Sequence, residues 1–302
     1  MKKSSITLIE VLAVIIIIVV LALVLLPALR VEDYPDNCAY KLKVMGLVFK
    51  MYANESEGWL YPRVQGDPPW GSGNSPPDGC TNVITQFEFG PKSDSIYPEY
   101  LSDPDILVCT KANRREDLHI LEDDGTGNCP YPGFIAHPSA SYFYTGYQLD
   151  QCGDDAPMEA TQGQKAPAQL VAMLEALGDT ITDGDPATDD VLNDDIAVAP
   201  PNGTRKGDTI RRFSEGIERK FITDINEPAA ESKAMAATAV MWDQIRVDPN
   251  GNTTFNHKPG GCNVLYMDGH VEFIKYPGEF PAAKGWTAFM STLSNAKPKP
   301  PS

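Results

Sequence analysis

The chain has 302 residues and a formal net charge of −16, from 25 Lys and Arg against 41 Asp and Glu. So acidic a surface repels a phosphate backbone and excludes nucleic acid as a partner. The length is ample for a sizeable core, and the six cysteines form no C-x-x-C pair, which excludes a zinc ribbon or a thioredoxin motif.

In chain order, Lys2 and Lys3 lead, Ser4 and Ser5 follow, and Ile6-Thr7-Leu8-Ile9-Glu10 opens an apolar run. Residues 11–29 are nineteen positions broken only by Pro27, close to the roughly twenty that span a bilayer core. No small-residue cleavage pattern follows Leu29, as it would in a secretory signal peptide. Glu10 is the informative residue, because an unpaired carboxylate at the centre of a membrane helix costs roughly 2.5–3.5 kcal/mol. The pattern predicts a helix over 6–29, with a partner for Glu10 and the lysines on the cytoplasmic side.

Beyond it, Leu42, Met45, Val48, Phe49 and Tyr52 recur at helical spacing and predict a helix over 39–52, ended by turn-forming residues at 54–58. Residues 59–80 are dense in Pro and Gly and read as irregular loop. Short strands are predicted at 106–109, 142–147 and 240–243, and a short helix at 169–177. Residues 179–195 hold seven aspartates; Asp183-Gly184-Asp185 lacks the spaced ligands and distal Glu of an EF-hand, so the stretch reads as a solvated acidic loop. Asp268-Gly269 between β-favouring runs at 263–267 and 270–274 is the strongest hairpin signal. The Pro-rich tail 297–302 reads as disordered.

The N-terminus resembles that of type IV prepilins and type II secretion pseudopilins, through Lys2-Lys3, the block Ile6-Thr7-Leu8-Ile9-Glu10, the apolar helix and Pro27. The resemblance implies cleavage between Ser5 and Ile6 by a prepilin peptidase, with methylation of Ile6. It also implies pairing of Glu10 with a neighbouring Ile6 amine. Ser5 stands where the family usually has Gly, and Ile6 where it usually has Phe. Residues 255–273 resemble the H-X9-DG domain through His257, Gly260, Gly261, Asp268 and Gly269. Ten residues, not nine, separate His257 from Asp268.

The C-terminal motif reads first as a structural hairpin. Gly260-Gly261 permits a sharp approach. Val264 and Tyr266 share one face of the strand, Leu265 and Met267 the other. His257 is placed to donate to a carbonyl or a carboxylate. A second reading adds a metal held by Asp243, His257, Asp268 and His270, calcium suiting the carboxylates and zinc the His–carboxylate set. Six cysteines allow fifteen pairings; Cys109, Cys129 and Cys152 share a loop-rich region, so one bridge is expected among them. No G-x-S-x-G, H-E-x-x-H or G-x-x-x-x-G-K-[ST] occurs, so no enzyme and no cofactor beyond such a metal is expected.

The expectation is thus an α+β, pilin-like fold: a long transmembrane helix packed on a small antiparallel sheet with long loops. Its parts are a leader at 1–5, a filament-core helix at 6–29, a helix extension at 30–58, a globular domain at 59–296 and a tail at 297–302. The implied function is a pilus or pseudopilus subunit, single-pass in the inner membrane with its C-terminal domain outside the cytoplasm. Its partners would be other subunits, the prepilin peptidase, the assembly platform and the bilayer. The alternative is a membrane-anchored ligand- or glycan-binding protein using Trp59, Tyr61, Trp70 and residues 142–147, since aromatic side chains suit sugar contacts.

Overall fold

Leu42, Met45, Val48 and Phe49 form one buried stripe of helix α1 (Asn37–Glu55) in a computed structural model that describes residues 37–66, 79–81, 88–112, 118–129, 132–161, 164–182, 191–217, 235–247 and 252–295. The helix ends at Glu55, and in the 3-10 turn that follows, Glu57–Trp59, Gly58 takes a positive φ of 72°, a conformation glycine adopts at no steric cost. Residues 1–37 and 38–302 form two units. The sheets and helices among the described residues belong to the second, apart from Asn37 at the start of α1. The leader, the Ser5–Ile6 cleavage site, Glu10, the apolar segment 6–29, residues 183–190 of the acidic stretch and the tail lie outside the described residues.

The central sheet has four antiparallel strands, β1 (Tyr142–Tyr144), β2 (Ala239–Asp243), β3 (Gly261–Tyr266) and β4 (Val271–Lys275), in the order β4-β3-β2-β1. The register pairs Trp242 with Phe143 and with Val264, and Met241 with Tyr144 and with Leu265. Because side chains alternate across a strand, two cores form. On one face Tyr142, Tyr144, Met241, Leu265 and Met267 pack with α1. The approach is close at Gly46, where a Cβ would stand 3.0 Å from Leu265 Cδ1. On the other face Phe143, Trp242, Val264 and Tyr266 share a core with residues of α2 (Ala168–Thr182) and α3 (Lys284–Asn295), among them Leu170 and Trp286. There the rings of Phe143, Trp242 and Trp286 meet edge to face or stacked, 5.0–6.1 Å apart, geometries that aromatic quadrupoles favour.

The described residues therefore form a mixed α+β fold with several helices and several small sheets. No helix among them is long and apolar enough to cross a membrane. That corrects the expected architecture of one long transmembrane helix on a single small sheet. Burial corrects the glycan reading as well: Tyr61, Tyr142, Tyr144 and Tyr147 are core residues, and only Trp59 is exposed; Trp70 lies outside the described residues.

Local expectations also change. Residues 106–109 are not a strand: Pro104–Leu107 is a 3-10 turn, started by Asp103, whose side chain accepts from Asp105 N–H, and by Pro104 in its first turn. The hairpin loop spends three residues, Met267 to Gly269, rather than two, because Tyr266 N–H donates to the His270 carbonyl across it at 3.0 Å. Gly269 N–H donates to the Tyr266 carbonyl at 2.9 Å, and Gly269 alone has positive φ, the signature of a type I turn closed by a left-handed glycine. The disulfides join Cys38 to Cys109 and Cys80 to Cys129, while Cys152 and Cys262 are buried free thiols. Cys109 and Cys129 are thus bridged, but to residues distant in sequence rather than to each other or to Cys152.

Candidate metal centre

Four side chains from four parts of the chain meet inside the α1 face of the sheet. Cys38 lies in the first turn of α1, Cys109 follows the 3-10 turn, Asp243 ends β2, and His257 sits in the turn that leads into β3. All four are buried, and one ligand atom from each lies within 4.8 Å of the others.

The scaffold that holds them is polar and specific. Lys41, one helical turn beyond Cys38, donates its ammonium to the carbonyls of Asp105 and Val108, both at 2.7 Å. It thereby anchors the segment that carries Cys109. Burial pulls the Lys41 ammonium below its ordinary pKa, and the Asp103 carboxylate opposes that. On β3, Asn263 donates its backbone N–H and its side-chain amide to Asp243 Oδ2, each at 2.7 Å. His257 Nε2 stands 3.0 Å from the same oxygen, 3.4 Å from Cys109 Sγ and 3.2 Å from Asn263 Nδ2. Gly261 makes the approach possible: its φ is 152°, and a Cβ would lie 2.3 Å from the Ile274 carbonyl oxygen.

The other oxygen of the same carboxylate, Asp243 Oδ1, is buried and has no hydrogen-bond partner. Buried polar atoms are nearly always satisfied, so such an atom calls for an explanation. The arrangement offers two sulfurs, one imidazole nitrogen and one free carboxylate oxygen, a donor set that can coordinate a metal ion.

Of the four residues proposed from sequence, Asp243 and His257 meet here and Asp268 and His270 do not. The latter two tie the hairpin turn at the surface, with Asp268 Oδ1 2.6 Å from His270 Nδ1 and accepting from His270 N–H at 3.0 Å. Burial pushes the Asp268 carboxyl up, but the backbone and ring of His270 outweigh it and hold the group below its ordinary value. Gly260 and Gly261, both at positive φ, shape the approach between His257 and β3. Cys38 and Cys109 complete the centre without any local spacing signal, being 71 residues apart.

Comparison with protein-family models, with curated proteins and with solved structures gives no match. The filament-subunit reading and its membrane-anchored alternative are corrected on that ground. No matching protein supports either, and no helix among the described residues is long and apolar enough to cross a membrane. The single-pass inner-membrane placement, which rested on them, is withdrawn.

Proposed function

We propose that the protein is a non-catalytic zinc-holding domain in which Cys38, Cys109, Asp243 and His257 take one Zn2+ when both thiols are reduced. The observation that carries this reading is Asp243 Oδ1, a buried carboxylate oxygen without a partner beside two sulfurs and an imidazole. Two thiolates and an imidazole suit zinc. Calcium takes about 6–8 oxygen ligands, and this centre offers a single carboxylate, so the calcium alternative is dropped.

The role is structural. Four protein ligands complete a tetrahedral shell and leave no position for water or substrate. A bound ion would join the start of α1, the segment after the 3-10 turn, the end of β2 and the turn before β3. Because such a site is assembled only on folding, its binding free energy is folding free energy, about 10–16 kcal/mol in small structural zinc sites. The Asn263 donors that orient Asp243 would persist in the loaded state as the outer shell of the ligand.

The test is metal titration of the reduced full-length chain, with Co2+ as a spectroscopic probe and Zn2+ measured by chelator competition. The expected result is one ion per chain, with the thiolate-to-cobalt charge transfer and strong visible bands of a tetrahedral site. The zinc affinity should be about nanomolar or tighter, and Asp243→Asn should weaken it more than tenfold. Zinc binding weaker than about micromolar, or cobalt spectra without thiolate charge transfer, overturns the reading.

A further inference from the structure

The two sulfurs that would hold zinc are joined to each other in the folded chain, within the same group as Asp243 and His257. A sulfur in a disulfide has no thiolate charge to donate, and only the thiolate is an effective ligand. We infer that the centre is redox-gated: the Cys38–Cys109 disulfide and a bound zinc ion exclude one another, and the fold accepts either cross-link at one place. This rests on the zinc reading above and adds its regulation.

The chemistry balances with a thiol as reductant and a small disulfide as oxidant. In the loading direction two thiol molecules are oxidised to one disulfide, and their two electrons and two protons convert the Cys38–Cys109 bond into two thiols. Zinc then displaces both thiol protons to the solvent and gains two thiolate ligands. In the unloading direction the small disulfide takes two electrons from the thiolates and two protons from the solvent and departs as two thiols, the Cys38–Cys109 bond re-forms, and the zinc ion leaves.

Three observations favour exchange within a preserved scaffold. The Cα atoms of Cys38 and Cys109 are 5.2 Å apart, so neither backbone has to travel far to serve either state. Lys41 fixes the Cys109 segment through backbone carbonyls, contacts that involve neither sulfur. Asp243 and His257 are already paired beside the sulfurs with one carboxylate oxygen unspent. The second disulfide, Cys80–Cys129, is not part of any such cluster among the described residues and supplies an internal control.

The experiment equilibrates the full-length chain in reduced and oxidised glutathione mixtures at several free zinc concentrations fixed by a chelator buffer. Differential alkylation with peptide mass spectrometry reports each disulfide separately, and a chromogenic chelator reports bound zinc after separation. Because zinc binds only the reduced form, the oxidant ratio needed to close Cys38–Cys109 should rise by the factor one plus free zinc over Kd, about 100-fold at 100 times Kd. The Cys80–Cys129 midpoint should stay fixed, and bound zinc should fall as the Cys38–Cys109 thiols disappear. In Asp243→Asn, the shift at the same free zinc should shrink at least tenfold.

If the reduced chain binds no zinc, the zinc reading itself falls. If it binds zinc but retains it after Cys38–Cys109 has closed, or if that midpoint ignores zinc, the zinc reading stands and the gating is wrong. If both midpoints move together, the effect is general rather than site-specific, and the inference is again overturned.

Discussion

His257 Nε2 lies 3.0 Å from Asp243 Oδ2, with 4% of the imidazole and none of the carboxylate side chain exposed. Removing one member of a buried pair costs roughly 3–5 kcal/mol because the other is left without its partner. His257→Ala in the metal-free, oxidised chain should fall near the lower figure, since Asn263 still donates to the carboxylate. His270→Ala breaks a half-exposed pair and should cost about 0–1 kcal/mol. Urea unfolding of both variants provides the comparison, and equal costs would mean that the buried pair is worth no more than a surface contact.

Gly261 and Gly269 both have positive φ but differ in their surroundings. A Cβ at Gly261 would meet the Ile274 carbonyl oxygen and the Lys275 Cα, whereas nothing lies within 4 Å at Gly269. Gly269→Ala should cost only the left-handed strain, about 1–2 kcal/mol. Gly261→Ala should cost about 1–3 kcal/mol more from overpacking. Thermal unfolding decides it, and the reverse order would place the close approach elsewhere.

The non-reduced, denatured chain should titrate two thiols, those of Cys152 and Cys262, with four cysteines held in bridges. In the folded chain both should resist alkylation, because burial pushes each thiol well above its ordinary pKa and the thiolate is the reactive form. Fast alkylation before unfolding would contradict their burial.

Asp123 organises a surface turn. Its carboxyl is held below the ordinary value chiefly by the backbone N–H of Gly127 and then that of Cys129, against desolvation, with the Gly125 N–H adding least. A depressed carboxylate contributes stability that is present above the unfolded value of about 3.9 and is lost as pH falls through the lower folded value. The amide resonances of Gly125, Gly127 and Cys129 should therefore move together in acid, with a midpoint below about 3.9. The transition should vanish in Asp123→Asn. A midpoint at or above the free carboxyl value would show that the turn does not hold the charge.

Much of the architecture is written in local pattern. The apolar spacing of α1, the alternation around Val264 and Tyr266, and the Asp268-Gly269 turn each rest on near neighbours in sequence. Even the Asp243–His257 encounter was foreseeable from a strand end and a motif histidine. Cys38 and Cys109 were not, because no periodicity links a helix start to a turn 71 residues later. Ile106, Leu107 and Val108 have strand propensity, yet the Asp103 cap and Pro104 prevail locally, as context overrides β propensity in general. The tyrosines at 142, 144 and 147 likewise suit a ligand surface or a core, and only packing distinguishes the two.

The order of the four centre residues along the chain bears on biosynthesis. Cys38 and Cys109 precede Asp243 and His257 by well over a hundred positions. At roughly 5–20 residues per second, a growing polypeptide presents both sulfurs on the order of ten seconds before the carboxylate and imidazole exist. An oxidising environment met during synthesis can close the sulfur pair before any ion has a complete site. A reducing one leaves the choice open until β3 is made. The compartment in which the chain is made, rather than the affinity of the finished fold, then sets which cross-link is installed first.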